Sequence, residues 1–208
     1  VIYDDVQFIK GGWINRNRLL SNGKAMNFNV EMSGASANKK INEIELSKNK
    51  KWKMKLLKTI SQSYSKAPNF KEVYPLFEAI ILHTPENGLL TDYVTNGILS
   101  ICNFLDISTK IGLTSSVYEN DVLSGQERVL DICRKEECSL YLNPIGGVDL
   151  YSTEVFNDNK MDLKFIKTCY ISYSQTKHEF VSSLSILDII MYNSKAEVKE
   201  MLNVYELK

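Results

Sequence analysis

Apolar side chains recur at helical spacing in several segments of the chain. Trp52, Leu56 and Ile60 fall at positions i, i+4 and i+8, with lysines on the other side, and this pattern predicts an amphipathic helix. Ser124 and Glu127 have the spacing of a capping box, so a helix is expected to begin there. In chain order, the predicted helices cover residues 52–63, 70–83, 91–105, 124–137, 183–192 and 197–202.

Alternation of apolar and polar residues predicts strands between these helices. Residues 26–32 alternate strictly, which is typical of a half-buried strand. Shorter strands are predicted at residues 1–6, 111–114, 139–142 and 163–166. Because strand, helix and strand follow one another in residues 111–142, we expect an α/β fold with a mostly parallel sheet flanked by helices and a helix-rich middle segment. The length suits a single domain over residues 1–208.

Composition narrows the class of protein. The 208 residues include 25 Lys+Arg, 25 Asp+Glu and 44% hydrophobic residues, a balance typical of globular proteins and unlike disordered or collagen-like chains. No apolar run approaches the roughly 20 residues that a bilayer span needs, so no membrane partner is expected. Four cysteines without a CxxC pair, and two histidines, favour free thiols in a reducing cytoplasm and predict no metal site.

The zero net charge conceals an uneven distribution of charge along the chain. Residues 1–70 hold 13 Lys/Arg against 5 Asp/Glu, a balance of +8, and residues 71–208 hold 12 against 20, a balance of −8. A basic first third could attract a phosphate, a nucleotide or a tRNA. Alternatively, the lysines between positions 48 and 58 form the solvated face of one helix.

Three carboxylates are candidates for acid–base chemistry or binding. Asp4 and Asp5 lie near the end of the first predicted strand, where ligands often bind in α/β sheets, and could hold a sugar hydroxyl, an ammonium group or Mg²⁺. Because neighbours on a strand point to opposite faces, only one of the two is expected to face a given ligand. Asp188 interrupts an apolar helix, where burial would raise its pKa and a nearby arginine would lower it. It is either a general base, an ammonium-binding group or the structural partner of an arginine.

A run of hydrogen-bond donors follows the first predicted strand. Asn15, Arg16, Asn17 and Arg18 are consecutive, and the forked donors of arginine match phosphate or carboxylate groups. The run therefore predicts a clamp for one of these anions. The alternative is that an arginine pairs with one of the N-terminal carboxylates inside the fold.

Two further features are weaker indications of a site. Gly146 and Gly147 follow a predicted strand, and glycine lets backbone amides approach a ligand, although a tight turn is the default reading. The segment lacks GxGxxG and the Lys-Ser/Thr of a P-loop. His178 is a candidate base, but no spacing supplies it with a serine or cysteine partner.

Taken together, these segments resemble the WbqC-like protein family. The resemblance rests on Tyr3-Asp4-Asp5-Val6-Gln7-Phe8, followed by Trp13 and Asn15-Arg16-Asn17-Arg18. It continues through Trp52, Tyr64, Lys66-Ala67-Pro68-Asn69-Phe70, Ser115-Ser116, Glu127-Arg128, Tyr141-Leu142-Asn143, Gly146-Gly147, Tyr151, Tyr173, Gln175 and Leu184-Ser185-Ile186-Leu187-Asp188. The family usually opens with a segment like Gln-Pro-x-x-x-Pro-Trp-x-Gly-Tyr, so we expect the natural N-terminal segment to be missing here.

The resemblance implies an enzyme of bacterial surface-polysaccharide (O-antigen, lipopolysaccharide) biosynthesis. Such proteins are regarded as glycine or other aminoacyl transferases that act on amino sugars. The implied partners are a nucleotide-linked amino sugar and an acyl donor, which could be glycyl-tRNA, a carrier thioester or an adenylate. Neither DNA nor a membrane is expected as a partner, and the sequence identifies no cofactor.

On this hypothesis the candidate residues take separate roles. Asp4, Asp5 or Asp188 would orient and deprotonate the sugar ammonium. Arg16 and Arg18 would hold a diphosphate, with Asn15 and Asn17 as neutral donors, and the amides of Gly146 and Gly147 would polarise the acyl carbonyl. Tyr173 and Gln175 would contact sugar hydroxyls, and Gln7 would also bind the substrate.

Two other functions remain open from the sequence. The same residues could form a non-catalytic module that binds a sugar nucleotide or a partner of the same pathway. The basic first third could also bind tRNA, in which case affinity would fall steeply with salt.

Overall fold

The computed structural model describes residues 1–175 and 179–208. Its helices are α1 (Lys51–Tyr64), α2 (Phe70–Leu82), α3 (Leu90–Phe104), α4 (Gly125–Lys135), α5 (Thr153–Asp158), α6 (Ile186–Tyr192) and α7 (Lys195–Met201). Its strands are β1 (Arg16–Ser21), β2 (Lys24–Asn29), β3 (Met32–Ser33), β4 (Glu45–Leu46), β5 (Leu140–Pro144), β6 (Asp162–Thr168) and β7 (Tyr205–Leu207). Short 3-10 helices cover Ile41–Glu43, Ser116–Tyr118 and Ile145–Leu150.

The helical pattern of the sequence is confirmed, with differences at the helix ends. Ser124 is the N-cap of α4, but its side chain accepts no capping hydrogen bond, so the predicted capping box does not form. A capping box forms instead at α7, where Ser194 and Glu197 bond reciprocally. Helix α1 extends one residue beyond its predicted end and thereby places Tyr64 on the buried face of the helix.

An antiparallel hairpin of β1 and β2 follows the N-terminal segment. Its register runs from Arg16 opposite Asn29 to Ser21 opposite Lys24. Asn22 and Gly23 form the two-residue turn with φ values of 51° and 71°, the left-handed conformation that such tight hairpins require. The alternation in residues 26–32 predicted the second strand, whereas β1 was not predicted, because apolar and polar residues do not alternate along it.

The strands form small mixed sheets, and the expectation of a mostly parallel sheet is not confirmed. Among the described residues, β5 and β6 are parallel, while β1–β2, β3–β4 and β6–β7 are antiparallel. The predicted strands at residues 1–6 and 111–114 form no ladder, since they meet through one backbone bond, from Ile2 to Gly112 at 2.7 Å. The N-terminal segment instead exchanges backbone bonds with the loop around residues 39–42.

The fold is therefore a single-domain α/β fold in which helices and small sheets share two groups of buried residues. The larger core joins the hairpin, α1, α2, α3, α6 and α7. The smaller core lies among α4, α5, β5 and β6 and centres on Phe156 and Phe165. In the described part of the chain, no helix has both the length and the hydropathy that a bilayer span requires.

One lysine of α1 departs from the expectation of a solvated lysine face. Lys53 is buried, and its ammonium donates to the last carbonyls of α2, those of Leu82 and His83, and to the hydroxyl of Thr84. It therefore caps the C-terminus of α2, where a positive charge is favourable. The other lysines from position 48 to 58 are exposed, as expected.

Candidate functional site

A buried carboxylate in α6 joins three segments that are distant in sequence. Asp188 has no exposed surface. Its Oδ1 accepts a hydrogen bond from the hydroxyl of Tyr64 at 2.8 Å, and its Oδ2 accepts from Tyr173 at 2.7 Å and from the amide of Gln175 at 2.8 Å. Two of these partners, Tyr173 and Gln175, are sequence-predicted site residues. Among the described residues, no arginine pairs with Asp188, so the structural arginine partner that the sequence left open is wrong.

Burial sets the protonation behaviour of this group. It raises the pKa of Asp188 above its ordinary value, against the opposing effect of the hydrogen bonds from Tyr173, Tyr64 and Gln175. Burial, reinforced by the hydrogen bond to Asp188, also raises the pKa of Tyr173. Tyr173 is partly exposed, and its hydroxyl donates to the buried carboxylate. The pair can therefore hold a proton and pass it along this hydrogen bond.

The loop that carries Tyr173 is fixed by Gln175. The Gln175 side chain donates to the carbonyl of Val181 at 2.9 Å and accepts from the amide of the same residue at 2.8 Å. Its amide nitrogen also reaches Asp188, so one side chain binds both the loop and the helix. Between these two loop positions lies His178, the candidate base of the sequence, which falls outside the described residues.

The N-terminal carboxylates form a second buried group. Asp4 Oδ1 accepts from the Thr114 hydroxyl at 2.8 Å and from the Ser115 amide at 3.0 Å. Asp5 accepts from the Ser115 hydroxyl and forms an ion pair with Arg128 at 2.5 Å. Both carboxylates thus meet Ser115, and the expectation that they face opposite sides is wrong, because this segment is not a regular strand.

Asp5 is held in its charged form. Burial raises its pKa, but the hydrogen bonds from Ser115 and Arg128 and the charge of Arg128 outweigh burial, and the net pKa lies below the ordinary value. The Arg128 guanidinium, itself bound to Asn120 at 2.9 Å, lies 4.8 Å from the centre of the Tyr3 ring. Asp5 also lines a polar cavity of about 450 Å³. Such a carboxylate is suited to holding an ion pair and is a weak base.

The two arginines of the predicted clamp lie on one face of the hairpin. Arg16 is opposite Asn29 and Arg18 is opposite Asn27, so these four side chains share a face of the two-stranded ribbon. The guanidinium carbons of Arg16 and Arg18 lie 4.5 Å and 5.2 Å from the centre of the Trp13 ring. Within the described residues, neither arginine forms an ion pair with a carboxylate.

The remaining members of the N-terminal motif have different surroundings. Asn15 and Arg16 line a cavity of about 470 Å³, and the Asn15 amide donates to the carbonyl of Val30 at 3.2 Å. Asn17 is exposed and its Oδ1 accepts from the amide of Arg18 at 2.8 Å. Gln7 is exposed and forms an isolated bridge with the backbone of Lys40.

The two predicted glycines differ in what surrounds them. Gly147 is buried, and a Cβ atom at this position would overlap the side-chain amide of Asn143. Gly146 is exposed, and nothing lies within 4 Å of where its Cβ would be. Both belong to the 3-10 helix Ile145–Leu150 that follows β5. Gly147 is therefore required by local packing, while the surface at Gly146 is open to an approaching group.

The structure links the hairpin to the Asp188 group through β1. The amide of Leu20 donates to the Tyr64 hydroxyl at 2.7 Å, and the carbonyl of Arg18 accepts from the amide of Ser185 at 2.8 Å. Residues two apart on a strand are separated by about 7 Å. The arginine face and the start of α6 are therefore neighbours, whereas Asp4 and Asp5 belong to the separate group around Arg128.

Several residues of these groups were not among the predicted site residues. These residues are Tyr64, which bonds to Asp188, and Ser115 and Arg128, which bind the N-terminal carboxylates. The sequence contained a signal for Tyr64. Tyr64 follows Ile60 by four residues on the apolar face of α1, and a buried tyrosine hydroxyl usually has a hydrogen-bond partner. Among the described residues, no three His, Cys, Asp or Glu side chains gather in a way that could hold a metal ion.

Comparison with known proteins supports the motif-based resemblance. The model of the WbqC-like protein family matches residues 1–200. The chain belongs to the WbqC-like family. This WbqC-like chain is 27% identical over 207 residues to the uncharacterized protein Rv1507c of Mycobacterium tuberculosis, an alignment that covers 97% of this chain and 86% of that protein. No solved structure matches it.

Proposed function

We propose that this WbqC-like protein is a cytoplasmic N-acyl transferase that joins a glycyl or other aminoacyl group to the amine of a nucleotide-linked amino sugar, in bacterial surface-polysaccharide biosynthesis. Family membership provides the context of the proposal. The observation that carries it is the hydrogen bond of 2.7 Å between a buried carboxylate of raised pKa, Asp188, and the hydroxyl of Tyr173, a partly exposed residue. Acyl transfer to an amine requires a base of this kind, since an ammonium group is not a nucleophile.

The pair handles the proton of the reaction as follows. The amine nitrogen attacks the acyl carbonyl carbon, and a C–N bond forms as the bond from that carbon to the donor's oxygen or sulfur breaks. The amine proton passes to the phenol oxygen of Tyr173 while the phenol proton passes to Oδ2 of Asp188. The proton then returns by the same path to the leaving group. Because burial raises the pKa values of both groups, the proton moves in a coupled step without a free phenolate.

The other predicted residues bind the substrates in this proposal. Arg16 and Arg18 hold the diphosphate of the sugar nucleotide, since arginine forks bind phosphate oxygens in pairs and no carboxylate of the described residues neutralises them. The exposed amide of Gly146 is placed at the carboxyl end of β5, where ligands of α/β sheets commonly bind. Asp5 is less suited to be the base, because its ion pair with Arg128 helps to hold its pKa below the ordinary value. Asp4 belongs to the same group, since both carboxylates accept from Ser115.

The test is acyl transfer by matched variants. Wild type, Asp188→Asn, Tyr173→Phe and the control Asp162→Asn, an exposed carboxylate of β6, are incubated with nucleotide-linked amino sugars, isotopic glycine, ATP and a cell extract. Mass spectrometry follows the glycylated sugar. We expect product from wild type and control, and a loss of at least 100-fold with Asp188→Asn and Tyr173→Phe, the usual contribution of a positioned acid–base group. Unchanged turnover in both variants would show that Tyr173 and Asp188 do not transfer the proton of the reaction.

A non-catalytic binding module is the second candidate, and the complete burial of Asp188 favours it. Three protein donors satisfy this carboxylate, as they would in a purely structural group. In a binding module, sugar-nucleotide affinity would be measurable without any product. In the enzyme, Tyr173→Phe lowers turnover and leaves affinity nearly unchanged, because it removes an interaction of the transition state.

A further inference from the structure

A group of exposed lysines and half-buried arginines lies on the N-terminal segment, the hairpin and α1. We refer to Lys10, Arg16, Arg18, Lys55 and Lys58 as the arginine–lysine surface. This surface includes two neighbouring cavities, with volumes of about 470 Å³ and 320 Å³. Asn27 and Asn29 line both cavities. Lys10 and Arg16 line the first cavity and Lys55 lines the second, and Lys58 lies one helical turn further along α1.

These cations have few anionic neighbours. Within the described residues, none of the five takes part in an ion pair. Among the described residues that line the two cavities, Glu31 is the one with a carboxylate side chain. Unneutralised cations on one face create a positive potential that attracts polyanions. Residues 1–70 have a net charge of +8, and this surface contains five of their basic residues.

The surface also carries an exposed aromatic platform. The Trp13 side chain is 57% exposed, and the guanidinium groups of Arg16 and Arg18 lie beside its ring. Aromatic rings and arginine planes are the groups on which unpaired nucleic-acid bases stack. The exposed side chains of Asn27 and Asn29, next to this platform, can donate to and accept from base edges.

The extent of the surface exceeds what one diphosphate needs. Lys55 lines one of the two cavities and Lys10 lines the other, and Asn27 and Asn29 of β2 lie between them. A ligand that contacts both lysines must therefore extend past β2. A chain of phosphates interleaved with bases satisfies this geometry. An anionic membrane fits less well, since asparagine side chains rather than apolar ones lie between the cations.

We propose that Trp13 and the lysines of the arginine–lysine surface bind the single-stranded acceptor end of an aminoacyl-tRNA, beside the diphosphate that Arg16 and Arg18 hold, and that this RNA is the acyl donor. The inference rests on the proposed transferase function and names its donor. In the reaction, the amide C–N bond forms as the ester bond to the terminal ribose of the tRNA breaks, and the ribose hydroxyl takes up the proton. The transfer step itself then consumes no ATP, because the ester already carries the activated acyl group.

The first test measures binding of fluorescently labelled, deacylated bacterial tRNA by anisotropy across a range of salt concentrations. Wild type is compared with Arg16→Gln/Arg18→Gln, with Lys55→Gln/Lys58→Gln, and with the control Lys164→Gln/Lys167→Gln, two exposed lysines of β6. We expect each surface variant to weaken binding at least 10-fold and the control to bind like wild type. Each surface pair should also lower the slope of log K against log salt by about 1.5.

The exposed lysine pair makes the test independent of folding defects, because its side chains project into solvent. Equal binding by all variants, or binding insensitive to salt, would overturn the proposal. Stronger binding to vesicles of phosphatidylglycerol and phosphatidylcholine than to tRNA would assign the surface to a membrane and would also overturn it. Trp13→Ala should weaken binding to a single-stranded CCA-ended oligonucleotide, whereas an unchanged affinity would argue against base stacking.

The second test separates this inference from the proposed function. Purified protein is mixed with isotopic glycyl-tRNA and a nucleotide-linked amino sugar, with and without ribonuclease. Ribonuclease-sensitive glycylation supports both. If the protein glycylates the sugar from an adenylate or a thioester and not from glycyl-tRNA, the proposed transferase function stands and the tRNA donor is wrong. Specific tRNA binding with no glycylation from any of these donors keeps an RNA-binding surface and overturns the proposed function.

Discussion

The Tyr64 hydroxyl connects Asp188 to the backbone of β1. It donates to Oδ1 of Asp188 at 2.8 Å and accepts from the amide of Leu20 at 2.7 Å. Tyr64 is the last residue of α1 and Asp188 belongs to α6, so one oxygen atom joins the end of a helix, another helix and the hairpin. The orientation of the buried carboxylate therefore depends on a residue far from it in sequence.

Replacing this hydroxyl should destabilise the fold. In Tyr64→Phe, the Leu20 amide and one oxygen of Asp188 lose their partner in a buried region, and each unsatisfied buried group costs about 1–3 kcal/mol. We expect a loss of about 2 kcal/mol in the free energy of unfolding by urea. Tyr74→Phe, at a partly buried tyrosine of α2, is the matched control and should change stability little. Equal stability of the two variants would contradict the role given to Tyr64.

The raised pKa of Asp188 predicts a pH dependence of stability. Burial keeps the folded-state pKa above the ordinary value of 3.8, so the unfolded chain releases this proton first as pH rises. The free energy of unfolding should therefore fall between pH 3.8 and the higher folded-state pKa, and then stay level. Asp188→Asn should remove this fall, and Asp162→Asn should not. Urea titrations at a series of pH values measure it, and a slope unchanged by Asp188→Asn would contradict the prediction.

The sequence predicted the helices better than the sheets. Trp52, Leu56 and Ile60 mark the buried face of α1. This face could be predicted because the spacing of apolar residues along one helix is a local feature of the sequence. By contrast, the run around Asp4 resembled a strand by composition, yet strand pairing depends on a partner elsewhere in the chain. Its backbone groups bond to loops at residues 39–42 and 112, and no local pattern contains that information.

The sequence named several residues of the candidate site and predicted only part of their grouping. Asp188, Tyr173 and Gln175 were each expected to act, and the structure places them in one hydrogen-bonded group. The sequence could not assign the partner of Asp5, because Arg128 lies more than a hundred residues away and competes with Arg16 and Arg18 for the same role. Folding resolves that choice through burial, since a buried carboxylate requires a charged or hydrogen-bonding partner.

The buried pair of Asp5 and Arg128 should behave as a unit. Removing one partner leaves the other charge buried without compensation, so Asp5→Asn and Arg128→Met should each destabilise the fold by about 3–5 kcal/mol. The double variant should lose much less than the sum of the two single losses. The exposed pair of Lys40 and Asp121, at 3.0 Å, is the matched control, in which single changes should have little effect. Additive losses at Asp5 and Arg128 in urea unfolding would show that the pair is not coupled.

The two adjacent glycines after β5 should respond differently to the same change. In Gly147→Ala, the new methyl group displaces the side-chain amide of Asn143 from its hydrogen bonds with Tyr141 and the Pro144 carbonyl, so the free energy of unfolding should fall by about 1 kcal/mol. In Gly146→Ala, the methyl group enters open space, and stability should stay within about 0.5 kcal/mol of wild type. If Gly146→Ala nevertheless lowers acyl transfer, the loss arises from the approach of a ligand to this surface and not from the fold. Equal losses of stability in both variants would contradict this assignment, because the overlap with Asn143 is specific to Gly147.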